Sequence, residues 1–263
     1  MIRLEKATVS FTQGGGEERI VLRDFSIEIP KGQTVSIIGS NGAGKSTLLN
    51  AIAGAVPLRS GSIFVDGRDC TQDPEWTRAC YVGRVRQNPL AGTAGEMSIL
   101  DNLAIASRKG PRRLRLAVHP AFARELADRA SELGMGLENR LRENVSKLSG
   151  GQRQALSLLM AVLSKPSVLL LDEHTAALDP SNADLVSALT KRFISEYALT
   201  ALIVTHDMKQ ALEQAERVVM MHEGSVVADV AGAEKEKLGV PDLVRLFRDA
   251  RGTDYAEDRD LLR

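Results

Sequence analysis

Two short stretches of this chain hold side chains whose order could handle a phosphate chain and a metal ion. The first, Gly39-Ser40-Asn41-Gly42-Ala43-Gly44-Lys45-Ser46, matches G-x-x-x-x-G-K-[ST] in full and runs on into Thr47. Its glycines allow backbone conformations that side chains would block, so successive N–H groups can turn inward onto phosphate oxygens. The start of a helix adds a positive dipole end. Lys45 supplies a point charge for the outer phosphates, and the Ser46 hydroxyl can ligate magnesium. A chance glycine-rich turn is the competing reading, and the flanking context argues against it. The second stretch, Val168-Leu169-Leu170-Leu171-Asp172-Glu173, ends an apolar run on two carboxylates. Asp172 can hold the metal shell and Glu173 can polarise an attacking water. An acidic helix cap explains such a pair equally well in isolation. Beside a phosphate loop, chemistry is the better reading.

These residues need a parallel sheet to position them. Thr34–Ile38 is a β-branched run that leads into the glycine loop, and Lys45–Ala53 reads as the helix after it. Val168–Leu171 is apolar throughout, as in a strand buried on both faces. A further strand is expected over 200–205, with a helix over 182–196 between the two. Residues 2–11 and 20–29 alternate as a strand pair around Gly14-Gly15-Gly16, and Ile63–Val65 and Tyr81–Val85 read as strands. From about 98 to 163 the spacing turns helical, with glycine breaks at 110, 134 and 136, which predicts an inserted helical subdomain. Strands over 217–222 and 225–230 close a hairpin at Glu223-Gly224, Pro241 opens a last helix, and the charged end is expected to fray.

With 263 residues, 43% of them hydrophobic, the chain suits one full-sized globular domain with a subdomain. Aromatics are only 4%, so the core must rest on Leu, Val, Ile and Ala. Thirty-four basic residues balance thirty-four acidic ones, without the basic excess expected of a nucleic-acid binder. The cluster Arg108, Lys109, Arg112, Arg113 and Arg115 reads as a solvated loop. Cys70 and Cys80 form no metal or redox spacing and read as incidental reduced thiols. The N-terminus lacks the apolar core of a signal peptide. No run approaches the roughly 18 apolar residues of a membrane helix, so a membrane role is expected to come through another protein.

Leu148-Ser149-Gly150-Gly151-Gln152 resembles the signature motif of ABC ATPases, although a Ser-Gly-Gly turn before a helix can also be a simple cap. Other motifs of that family follow in order. Gln87 resembles the Q-loop glutamine that contacts magnesium or water; a polar turn before Pro89 competes. Ala177-Leu178-Asp179 resembles the D-loop, with a helix cap before Pro180 as the alternative. His206, in Val204-Thr205-His206-Asp207, resembles the switch histidine. Phe11 stands near the place of the aromatic that stacks on adenine, where a core phenylalanine is nearly as good a reading. His174 replaces the proline of many relatives and reads as a variant of the connecting turn rather than a nucleotide contact.

The resemblance covers about residues 1–250. It implies an α/β fold: a P-loop NTPase (RecA-like) core over 1–87 and 165–250, with an antiparallel β subdomain and an inserted α-helical subdomain over 88–164, then a charged tail over 251–263. It implies ATP and Mg2+ as cofactors, with Gly39–Thr47, Phe11, Ser149, Gly150, Gly151, Gln152 and Asp179 around the nucleotide. Ser46, Gln87 and Asp172 would serve the metal, and Glu173, His206 and Gln87 catalysis. It implies a homodimer sandwiching two nucleotides, set beneath integral membrane permease subunits on the cytoplasmic face of the membrane. The Gln152-Arg153-Gln154-Ala155-Leu156 and Met220-Met221-His222-Glu223-Gly224 stretches, with His174, resemble a bacterial importer subgroup. That subgroup is served by periplasmic or lipoprotein solute-binding proteins, some of them tied to aromatic amino-acid uptake. A soluble ABC ATPase of similar length, such as one serving iron–sulfur cluster assembly, is the alternative.

Overall fold

A computed structural model of the chain describes residues 1–12, 16–108 and 119–251. The interruption expected at Gly14 and Gly15, the break at Gly110, the solvated loop through Lys109, Arg112, Arg113 and Arg115, and the tail beyond 251 lie outside them. The chain forms two compact units, Met1–Ala79 with Leu199–Arg263, and Cys80–Ala198.

The first unit opens with strands β1 (Ile2–Thr12) and β2 (Glu18–Ile29), followed by β3 (Thr34–Gly39), helix α1 (Lys45–Ala53), β4 (Ser60–Val65), β5 (Arg68–Asp69) and helix α2 (Glu75–Arg78). One sheet is antiparallel in the order β2-β1-β4-β5, with Ile2 opposite both Ile29 and Val65. Alternation puts Ile2, Leu4, Leu22, Ile27, Ile29, Ile63 and Val65 in the core. Helix α1 covers the run read from the sequence and ends at Gly54, whose φ of 78° lets the chain turn out of the helix. Beneath that end lies Arg78, 2% exposed. It donates to the carbonyls of Ala51 (2.7 Å), Ile52 (3.0 Å), Asp73 (2.9 Å) and Thr71 (3.0 Å). A side chain that would ordinarily be solvated thus closes the last turn of the helix.

The second unit contains β6 (Val82–Val85), α3 (Ile99–Ala106), α4 (Pro120–Ser131), α5 (Gly150–Leu163), β7 (Val168–Asp172) and α6 (Pro180–Glu196). Strands β6 and β7 are parallel, Val82 opposite Val168 and Val85 opposite Leu171. Gly83 lets β6 lie flat on α5: a Cβ there would stand 2.5 Å from the Ala161 carbonyl oxygen. Val168–Leu171 are fully buried, as their unbroken apolar run predicts. This pairing and packing place 80–87 and 165–198 in one compact unit with the helices.

The first unit resumes with β8 (Thr200–Val204), α7 (Met208–Gln214), β9 (Arg217–His222), β10 (Ser225–Ala231), α8 (Gly232–Lys235) and α9 (Val240–Arg251). Its second sheet runs β10-β9-β3-β8, with β3 parallel to both β8 and β9 and β9 antiparallel to β10. Ile38, Met208, Ala211, Val218, Met220, Leu243 and Phe247 pack as one cluster. The hairpin turns at Glu223 and Gly224, with φ of 45° and 77°, the doubly positive pattern that matches strand twist.

Candidate functional site

In the first unit the phosphate-binding stretch follows the carboxyl end of β3, where ligand chemistry gathers in open α/β sheets. Gly39 approaches β9 so closely that a Cβ would stand 2.2 Å from the Met221 carbonyl oxygen. Gly42 and Gly44 have φ of 80° and 96°. Gly44 is the N-cap of α1 and brings no side chain to cap it, and a helix start turns its first N–H groups toward the place an anion would take. Lys45, 7% exposed, donates from Nζ to the carbonyls of Gly39 at 2.7 Å and Ser40 at 3.0 Å. The loop is also braced from behind. Gly224 N–H donates to the Ala43 carbonyl at 3.1 Å, and the Gly224 carbonyl accepts from Arg23 N–H at 3.3 Å.

His206 belongs to the same unit. Parallel pairing sets Ile37 opposite Val204, and Thr205 N–H donates to the Ile37 carbonyl at 3.2 Å. The turn after β8 therefore sits beside the end of β3. Around His206 the turn is held by its neighbours: Asp207 N–H donates to Thr205 Oγ1 at 3.1 Å, and Asp207 Oδ1 accepts from Gln210 N–H at 2.9 Å to cap α7. The imidazole itself is exposed. Phe11, near the end of β1, is 42% exposed, which removes the alternative of a core phenylalanine.

The second unit gathers the carboxylates. Asp172 closes β7, and Glu173 follows with φ of 45°. That left-handed turn is uncommon for a non-glycine residue, and it breaks the strand alternation that would send the two carboxylates to opposite faces. Gln87 Nε2 donates to Glu173 Oε2 at 2.9 Å. Arg84 Nη2 lies 3.8 Å from Asp172 Oδ2. His174 turns inward instead. It is 2% exposed, and its Nε2 lies 3.1 Å from Thr190 Oγ1, which donates to the Val186 carbonyl at 2.8 Å. Thr190 Oγ1 therefore accepts from Nε2–H. Burial pushes the imidazole pKa down to about 4, so it is neutral at pH 7 and serves the fold of the turn.

Ser149 caps α5 through a capping box: its Oγ accepts from Gln152 N–H and Gln152 Oε1 accepts from Ser149 N–H, both at 3.2 Å. Gly151 is required by close packing, since a Cβ would stand 2.4 Å from Asn182 Cγ. Asn182 donates from its backbone N–H to Asp179 Oδ1 at 3.1 Å and from Nδ2 to Asp179 Oδ2 at 2.6 Å. Those bonds make Asp179 the cap of α6, and the Asn182 side chain, more than its backbone N–H, holds the carboxyl below the usual range. Gln154, fully buried, donates from Nε2 to the Arg86 carbonyl at 3.3 Å, tying α5 to the residue before Gln87. Arg84, Asn182 and Gly224 were not legible as site residues. Only Arg84 carries a sequence signal, being a charge inside the short strand that precedes Gln87.

A glycine cradle at a helix start, with a pair of carboxylates at a strand end, defines a nucleotide-hydrolysing class of α/β protein. Comparison with known proteins makes the class specific. The family model described as ABC transporter matches residues 22–176. The chain belongs to the ABC transporter family, and it is an ATP-binding, ATP-hydrolysing cassette with the P-loop NTPase fold. It is 41% identical to the tyrosine transport ATP-binding protein of Clostridioides difficile (strain R20291), across 94% of this chain and 98% of that one. To phosphonates import ATP-binding protein PhnC 2 of Oceanobacillus iheyensis it is 31% identical, across 80% and 83%. Among solved structures it resembles the dimeric ATP-binding cassette MJ0796 in a post-hydrolysis state bound to ADP and Pi, at a TM-score of 0.72 and 27% identity over 88% and 98% of the two chains. No helix among the described residues is long and apolar enough to cross a membrane.

Proposed function

We propose that this cassette drives import of a small solute, tyrosine or a related aromatic amino acid, through a membrane permease fed by an extracytoplasmic solute-binding protein. It would work at the cytoplasmic face of the membrane as a homodimer, each copy completing the other's nucleotide pocket. The observation that carries the hydrolytic part is the 2.9 Å bond from Gln87 to Glu173 at the end of β7. The solute rests on the likeness to the tyrosine transport protein; the dimer rests on the likeness to a dimeric cassette.

In this reading Gly39, Ser40, Asn41, Gly42, Ala43, Gly44, Lys45 and Thr47 hold the phosphates and Phe11 stacks on adenine. Ser46, Asp172 and Gln87 serve Mg2+, whose charge would draw the phosphate oxygens together and steady the leaving group. Hydroxyl and carboxylate oxygens are the hard donors that ion takes. Among the described residues no cluster of three or more His, Cys, Asp or Glu could hold a metal. That suits an ion that arrives on phosphates and takes only one or two protein oxygens. Glu173 orients and polarises the water, and His206 contacts the γ-phosphate. Ser149, Gly150, Gly151, Gln152 and Asp179 act across the dimer.

The test is Glu173→Gln in the full chain. ATP should still bind and promote pairing, while turnover falls by roughly 10²–10⁴-fold; undiminished hydrolysis defeats the assignment. Cells carrying that variant should lose tyrosine uptake, and the native chain should co-purify with a multi-spanning membrane protein.

A further inference from the structure

We propose that Gln154 is a positioning residue for hydrolysis: from inside helix α5 it sets the peptide that carries Gln87, and through Gln87 the aim of Glu173. This role rests on the reading of Gln87 and Glu173 as hydrolytic residues. Every residue concerned lies in the second unit. Strand β6 ends at Val85, the last residue in register with β7, so Arg86 and Gln87 lead the chain away from the sheet. The Arg86 carbonyl accepts from Gln154 Nε2 at 3.3 Å. That carbonyl shares one planar peptide with the N–H and Cα of Gln87, so a donor that holds the carbonyl also sets the direction in which the Gln87 side chain departs. Gln87 Nε2 in turn donates to Glu173 Oε2 at 2.9 Å. Two successive hydrogen bonds thus run from the helix that Ser149 caps to the carboxylate.

Stability does not account for an amide at this place. Gln154 is fully buried, and its Oε1 has no hydrogen-bond partner among the described residues. Its helix neighbours Ala155, Leu156, Leu158 and Leu159 are buried and apolar. An apolar side chain at 154 would suit them better, since an enclosed amide with an unanswered oxygen costs more than its single bond returns. What the amide adds is direction at one carbonyl. The chain after Gln87 is steadied as well. Asn88 Oδ1 accepts from Leu90 N–H at 2.9 Å, and Gly92 passes so near α5 that a Cβ there would stand 3.2 Å from Ser157 Oγ. Gln154 and Ser157, three positions apart, share a helix face, so Gln87 is seated between a bond and a contact on the same face of α5.

The test uses the full chain, with binding of a fluorescent ATP analogue and single-turnover hydrolysis measured side by side. Gln154→Met, of similar length but apolar, should keep affinity within about twofold of native while hydrolysis slows roughly 3- to 10-fold, the cost of a slightly misplaced group. Combined with Gln87→Ala it should add no further loss, because both changes act through one side chain. Gln154→Glu offers the carbonyl a donor only when protonated. Its rate relative to the native chain should therefore rise as pH falls from about 8 to 6, burial having raised the carboxyl pKa toward that range. Ser157→Ala removes a buried polar atom from the same face that makes no hydrogen bond, and should hydrolyse at the native rate. Native hydrolysis in Gln154→Met, equal losses of binding and hydrolysis, or a loss that adds to that of Gln87→Ala overturns the role of Gln154. So does a Ser157→Ala variant as slow as Gln154→Met, because packing of the face is then what acts. If the Met variant fails to fold, the Glu variant decides, and a ratio that stays flat with pH overturns the role. If Gln87→Ala itself hydrolyses at the native rate, the hydrolytic reading of Gln87 falls and takes this one with it.

Discussion

Gln87 and Glu173 leave the ends of two neighbouring parallel strands and meet side chain to side chain, amide N–H to carboxylate, at 2.9 Å. Glu173 sits in a left-handed turn, so its backbone direction is fixed, and the amide fixes one of its oxygens.

If that bond orients the base, Gln87→Ala should leave nucleotide affinity within a few-fold of native while the hydrolytic step slows. A slightly misplaced group can cost about 10²-fold, so a loss of roughly 10- to 100-fold is expected. Single-turnover hydrolysis measured beside equilibrium binding separates the two effects. Equal losses in both would assign Gln87 to binding instead.

Lys45 predicts the opposite pattern. Its ammonium holds the carbonyls of Gly39 and Ser40, and in the proposed site it also meets the outer phosphates. Lys45→Ala removes both, so nucleotide affinity itself should drop by more than about tenfold, one charge–phosphate contact being worth about 1.5–3 kcal/mol. Titration with a fluorescent nucleotide reads this directly, and retained tight binding rejects the phosphate-loop role.

His174 makes a pH prediction. Its folded pKa is pushed from 6.5 to about 4 by burial, so between those values the unfolded chain binds a proton that the folded chain refuses. Stability from this group is complete above pH 6.5 and is lost as pH falls toward 4, by about 3 kcal/mol over the window. His174→Gln has no such proton, and its denaturant midpoints should fall less steeply with acid. Parallel pH profiles for the two proteins would show that His174 is not the group responsible.

Gly151→Ala tests the packing of the signature turn. The new Cβ would overlap Asn182 near its own Cβ and Cγ, which a rotamer change at the tip cannot relieve. Asn182 must retreat and give up Asp179. We expect a stability loss of about 1–3 kcal/mol, and an Asp179 carboxyl that titrates nearer the ordinary range by NMR. A variant of native stability with Asp179 unmoved would mean that the two helices separate easily.

Much of this was legible before the structure. Helix α1 begins and ends where the lysine and the glycine after Ala53 place it, because a phosphate loop and a C-terminal glycine are strong local signals. Strand β7 followed from its unbroken apolar run. Helix α7 was not anticipated, although Asp207 is an ordinary cap, because seven residues carry too little periodicity. Helix α2 was missed for the same reason. The burial of Arg78 could not be foreseen, since its four acceptors are backbone carbonyls that no residue type announces. The inward turn of His174 and the Gln87–Glu173 bond depend on partners 16 and 86 positions away, and only the folded chain shows them.

The glycine at the tip of the last hairpin has a bearing on affinity. With Ala43 bonded to Gly224, and Gly224 to Arg23, the loop rests against framework strands that have no part in chemistry. There is no space for even one methyl group at that tip: a Cβ on Gly224 would stand 2.2 Å from the Val21 carbonyl oxygen. An arriving nucleotide therefore meets a mould already set during folding, and little of its binding energy is diverted into ordering the backbone that receives it.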